Sequence, residues 1–266
     1  MDKFPNIEED KTVMKATFTM WKNKQMIILV VVCAVIYAGV RAVLTIDFAL
    51  LVPEIMGMGA ANILPMLFGL LFGPAGAWGA AIGHLIGDLG ALSWKSLFDF
   101  VGIFLLGYLP YAMWTTLKPI ADGQRKPAIS NWRSWMLFIL IAFISSVASN
   151  VVVTAWLELL GFVPHTVLFA IIFFVSIFSV LGGLVGGILF LSLHGVIKNR
   201  LGLIWWDVMD ERDIGKPLAG TIGAWLVIVG ALVGVASIMA GFSGNHAGET
   251  VGIIGMIPII IGCLLL

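Results

Sequence analysis

Leu71-Phe72-Gly73-Pro74-Ala75-Gly76-Ala77-Trp78-Gly79-Ala80-Ala81-Ile82-Gly83-His84-Leu85-Ile86-Gly87-Asp88 is the stretch on which the fold turns. Its glycines at 76, 79, 83 and 87 step by three, four and four, so on a helix they share one face. Within a bilayer such a face lets a neighbouring backbone approach very closely. The device recurs at Gly182, Gly183, Gly186 and Gly187, and in weaker form as the small-xxx-small pair Ala34 and Ala38. Each of these faces serves either a neighbour inside the chain or a partner subunit.

Working outward, the 266 residues are 60% hydrophobic and only 11% charged, with a mean hydropathy of +1.06. A soluble domain needs far more charged surface. Several stretches of about 20 residues carry hardly a charge, which predicts an all-α, polytopic membrane bundle and excludes a soluble enzyme, a disulfide scaffold and a coiled coil. The formal net charge is zero and the bases fall in connections rather than on one helical face, so nucleic acid is not an expected partner; membrane lipid is. Cys33 and Cys263 lie in apolar stretches and read as small core residues. The first 25 residues mix acids and lysines, unlike a cleaved signal peptide, so the first apolar stretch is expected to stay as a transmembrane helix.

Spans are predicted at 26–46, 57–73, 76–91, 97–117, 134–160, 166–196, 217–240 and 250–266. With the N-terminus inside, Lys3, Lys11, Lys15, Lys22, Lys24, Lys118, Arg125, Lys126, Arg133, Lys198, Arg200, Arg212 and Lys216 are all cytoplasmic. Only Lys95 falls outside, and that asymmetry predicts an N-in, C-in topology in a cell membrane. The expected organisation is a cytoplasmic arm (1–25), a six-span core (26–198), a cytoplasmic linker (199–216) and an appended two-span hairpin (217–266). Trp205, Trp206, Asp207 and the following charges give the linker a composition suited to the membrane surface.

Charges retained in a bilayer are functional candidates, and here they gather on one side. Asp47 and Glu54 fall in the first outer connection, and Asp88, Asp99 and Glu158 at outer ends of spans. Arg41 stands about one turn deeper, and Trp94, Lys95, Asn150, Trp156 and His165 lie at similar depth. His84 is one turn below Asp88 on the same face. Such a constellation suits a pocket for a small polar molecule. Arg41, Asp47 and Glu54 are expected on the lid side, Trp94, Asn150, Trp156, Glu158 and His165 along the walls, and His84 and Asp88 at the floor. Blander roles remain open: Trp94, Lys95 and Asp99 as interface markers, His84 as a hydrogen-bonded core residue or proton site, and Arg41 with Glu54 as an internal ion pair. Acids outnumber bases there, which favours a neutral or cationic ligand.

Catalytic signatures fail. Gly241-Phe242-Ser243-Gly244 matches the GxSG of intramembrane serine proteases, but it sits in a short connection with His246 only three residues on. HExxH, GxxxxGK[ST] and TVGYG are absent from the sequence, so no enzyme activity, metal or cofactor is expected.

The turn Phe72-Gly73-Pro74-Ala75-Gly76, with the glycine-rich helix that runs on from it to Gly87-Asp88, resembles the Phe-Gly-Pro turn and following helix of substrate-binding S components of energy-coupling factor (ECF) transporters. Ala34-x-x-x-Ala38 is similar to the alanine motif by which such subunits dock on their coupling partner. The resemblance covers roughly 26–198. It implies a prokaryotic membrane receptor that captures a vitamin or related micronutrient from outside, under a lid formed by the first outer loop, and works with a transmembrane coupling subunit and two ATPases. The two spans after Lys198 depart from that pattern. A proton-coupled secondary transporter using His84 and Asp88, and a non-transport membrane scaffold, are the rival expectations.

Overall fold

The computed structural model describes residues 13–44, 62–117, 127, 129–162, 165–209, 219–242 and 247–266. Among these every regular element is helical. In order they are α1 (Val13–Thr19), α2 (Lys24–Leu44), α3 (Ile63–Phe72), α4 (Pro74–Gly87), α5 (Trp94–Leu117), α6 (Trp132–Leu159), α7 (His165–Val196), α8 (Trp205–Val208), α9 (Gly220–Phe242) and α10 (Ala247–Leu265). Five helical stretches are long and apolar enough to cross a membrane: Lys24–Val43, Trp94–Leu117, Trp132–Leu159, Val175–Val208 and Gly220–Ser237. The protein is therefore a multi-pass helical membrane protein.

Every predicted span coincides with a helix, but α3 and α4 are shorter than the sequence suggested. At 10 and 14 residues they measure about 15 and 21 Å, less than the roughly 30 Å hydrocarbon core. The cause is local. Gly73 takes φ +58°, a conformation that suits glycine alone, and Pro74 starts α4 at a position where its missing N–H is harmless. The chain therefore folds back, and Gly76 meets the carbonyl of Phe68. Other boundaries have equally local origins. Asn131 caps α6 by accepting from the Ser134 N–H at 2.8 Å, while the Asn131 N–H donates to Ser134 Oγ at 3.0 Å. Beyond α7 the chain widens into a π-helical turn, Ile197–Leu201, and stops at Gly202 in the left-handed region.

The glycine faces decide how the helices meet. On α4, Gly79 lies against Cys33 and Val30, Gly83 against Ala34 and Tyr37, and Gly87 against Arg41, so α2 and α4 run parallel in contact. Gly69 of α3 touches the Gly107 carbonyl of α5, and Gly107 lies against Ala77 of α4, a three-helix junction that only residues this small allow. Gly183 and Gly187 of α7 accept Ala142 and Phe138 of α6. Gly223 with Gly262, and Gly230 with Gly255, join α9 to α10. That hairpin rests on the rest of the bundle through Gly234 against Val151 of α6 and through the Tyr108 hydroxyl of α5, which donates to the Cys263 carbonyl at 3.0 Å. Both cysteines are free and buried, as the sequence implied.

Two expectations need correction. Ala34 does not present an open docking surface, because it is buried against Gly83 of α4; Ala38, one turn on, is half-buried. Trp205 and Trp206 are buried rather than spread on the membrane surface. Trp205 stacks edge-on with Tyr111 at 5.0 Å and covers Gly73, where the missing side chain makes room for the indole. The Asn23 amide donates to the Val208 carbonyl at 3.2 Å, so the start of α2, the α3–α4 turn and α8 share one end of the bundle, the Asn23 end. Arg41, Gly87 and the start of α5 mark the opposite, Arg41 end.

Candidate functional site: a buried ionic network at the Arg41 end

Helical period builds the site before any tertiary contact does. Tyr37 and Arg41 are four apart on α2, His84 and Asp88 four apart at the end of α4, and Lys95 and Asp99 four apart on α5, so each pair shares a face. The parallel packing of α2 on α4 then sets Arg41 beside Gly87 and Asp88, and the antiparallel packing of α5 brings Asp99 to His84. Arg41 Nη2 donates to Asp88 Oδ1 at 2.6 Å, and Lys95 Nζ to Asp99 Oδ2 at 2.9 Å. The formal charges of these four groups cancel, which lowers the cost of holding them partly out of water.

His84 stands at the centre and is only 4% exposed. Its Nδ1 lies 3.3 Å from Arg41 Nη1 and 3.4 Å from the Tyr37 hydroxyl. A guanidinium has only donors, so Nδ1 is the lone-pair nitrogen and the ring proton is on Nε2. Nε2 points between two carboxylates, 3.5 Å from Asp88 Oδ2 and 3.9 Å from Asp99 Oδ2, and makes no hydrogen bond to either.

A second polar group lies nearby on the α6 and α7 side. Asn150 Nδ2 donates to Ser176 Oγ at 3.2 Å, and Ser149 Oγ to the Gly102 carbonyl of α5 at 2.6 Å. The Trp156 ring is nearly parallel to Phe98, at 12° and 6.1 Å, and Phe162 adds a third ring at 6.4 Å from Phe98. The short α3 starts well below this level. Ile63 packs on Gly182, about 25 Å along α7 from His165 at the helical rise, whereas Ser176 is six residues nearer the Arg41 end.

The structure thus joins Arg41, His84 and Asp88 and places Asn150 and Trp156 on neighbouring helices at the same end. Glu158 is half-buried in the last turn of α6, and His165 is the first residue of α7. Trp94 does not line the site: at 69% exposed in the first turn of α5 it takes the place of an interface aromatic. Asp47 and Glu54 lie outside the described residues. Asp99, counted from the sequence among the outer acids with an interface role left open, is a member of the network, and Tyr37 and Ser176 were missed. The signal for Tyr37 was its spacing of four from Arg41.

No protein-family model, curated protein or solved structure matches the chain.

Proposed function

We propose that this chain is the substrate-capture subunit of an ATP-driven, ECF-type importer, binding a vitamin or related micronutrient at the Arg41 end. The observation that carries this reading is the collection of polar side chains from α2, α4, α5, α6 and α7 at one end of the bundle, above the start of the short α3. The opposite end supports the orientation: exposed Lys22, Lys24, Arg133, Lys198 and Arg200 all lie at the Asn23 end, which the positive-inside rule assigns to the cytoplasm. The Arg41 end then faces outward, where a nutrient arrives. A six-helix core, α2 to α7, carries the site in this reading, and α9–α10 is an addition packed on α5 and α6. The energy comes from separate ATPases, reached through a transmembrane coupling subunit.

The test is native mass spectrometry of protein purified gently from its own host. A bound small molecule together with a coupling protein and two ATPases is the expected result. A bare protein, or a homo-oligomer without ligand, would refute the reading.

One observation favours a second reading. His84 lies between two carboxylates with its Nε2 proton unshared, an arrangement suited to exchanging a proton. In that case the chain is a proton-coupled transporter of a small solute. Uptake into vesicles driven by a proton gradient in the absence of ATP distinguishes it.

A further inference from the structure

We infer that the wedge formed by His84, Asp88 and Asp99 is a subsite for a hydroxyl group of an uncharged, polyol-like ligand. This deepens the capture reading and rests on it for the direction from which the ligand comes. Donors and acceptors in the wedge do not balance by themselves. Arg41 and Tyr37 occupy Nδ1 of His84, so the buried Nε2–H is a donor without an acceptor. Such a group is costly unless satisfied, by roughly 1–3 kcal/mol. The atoms it faces, Asp88 Oδ2 and Asp99 Oδ2, are themselves acceptors, yet at 3.5 and 3.9 Å they make no hydrogen bond with it. Of the two gaps, the longer one, to Asp99 Oδ2, leaves room for an oxygen seated to one side of the line between the atoms.

The bridging group must accept from Nε2–H and donate to a carboxylate. An ammonium has no lone pair to accept with. A carbonyl accepts but has no proton to give the carboxylates. A carboxylate or phosphate meets two acids whose charges are already matched by Arg41 and Lys95. A hydroxyl does both. With ordinary hydrogen-bond lengths to Nε2 and Asp99 Oδ2, the 3.9 Å separation gives an angle of about 90° at the hydroxyl oxygen, a modest closing of its tetrahedral arrangement. Nε2 itself is closed off from solvent, so a hydroxyl reaches it only when the Asp88 and Asp99 carboxylates, whose side chains keep 15% and 21% of their surface, swing apart. A water molecule has the same chemistry, so the experiment must separate a ligand hydroxyl from solvent.

The protein is labelled with ¹⁵N-histidine, reconstituted in lipid nanodiscs and titrated with ribitol, sodium acetate and ethylammonium chloride in parallel. His84 is assigned among the four histidines by the spectrum of His84→Gln. Ribitol is expected to shift the His84 Nε2 resonance saturably, while acetate and ethylammonium leave it unmoved. Asp99→Asn, which weakens one acceptor, should raise the ribitol concentration for half-saturation roughly tenfold. A wild-type His84 resonance indifferent to ribitol means that only solvent occupies the wedge, and a saturable shift with acetate or ethylammonium means a different ligand chemistry; either overturns the inference. The wild-type titration decides even if the variant does not fold. Because the readout is binding at one residue, it is independent of the co-purified subunits that test the importer reading, and either can fail alone.

Discussion

Gly83→Ala is the sharpest test of how this bundle holds its site. A Cβ at position 83 would stand 2.6 Å from the Ala34 carbonyl oxygen, 2.8 Å from Tyr37 Cβ and 3.0 Å from Ala34 Cα. None of these is the free end of a flexible side chain, so the contact relaxes only if α2 moves off α4. Contacts become ordinary at 3.4 Å, which requires a retreat of about 0.8 Å. The same movement carries Tyr37 and Arg41 away from His84 and Asp88, stretching the 2.6 Å Arg41–Asp88 pair to roughly 3.4 Å. Overpacking of this kind costs about 1–3 kcal/mol. Gly39→Ala is the control on α2 itself. It meets nothing within 4 Å, and alanine's helical preference makes it neutral or slightly stabilising. The assay is reversible unfolding of both variants in mixed micelles, followed by helical circular dichroism, with the His84 imidazole spectrum as the local reporter. Gly83→Ala should lower stability by the stated amount and move the His84 resonances, and Gly39→Ala should do neither. Equal stability for the two variants would falsify the α2–α4 contact as the support of the network.

Further outcomes follow from other contacts. Tyr108→Phe leaves the buried Cys263 carbonyl without its donor, so stability should fall by about 1–3 kcal/mol and amide exchange should rise first in residues 259–265. Gly102→Ala places a methyl on Val153 and should destabilise, whereas Val153→Ala in the same chain should recover most of the loss; a double-mutant cycle in unfolding free energy with no coupling would count against this α5–α6 contact. Asp88→Asn removes the charge facing Arg41 and should cost about 1–3 kcal/mol in the same unfolding assay, less than for a fully buried pair because both side chains keep some exposure. Asn150→Ala should lower the occupancy of the co-purified ligand in native mass spectra while the membrane yield of folded protein is unchanged; full occupancy removes Asn150 from the site.

Much of this protein is legible in its sequence because the bilayer simplifies the reading. A segment that crosses hydrocarbon must be helical and apolar, so composition alone located the long helices to within a few residues, while the start of the short α3 and the short helices α1 and α8 escaped it. Helical period did the same locally: His84 with Asp88 and the glycine face of α4 follow from spacings of three and four, and Lys95 and Asp99 carry the same spacing, which was not read as a pair. Partnership across helices was not legible. Nothing in the chain near Arg41 says that its counterion is Asp88, 47 residues on, or that Ala34 faces Gly83 rather than a partner subunit. Trp205 and Trp206 read as interface residues, since position beside charges was the only signal, yet both are buried, Trp205 over Gly73 and Tyr111. The physical reason is the same in each case. Period and hydropathy are properties of a helix by itself, whereas the neighbour a face meets depends on which small residues let two backbones close together, and that is decided only when the helices assemble.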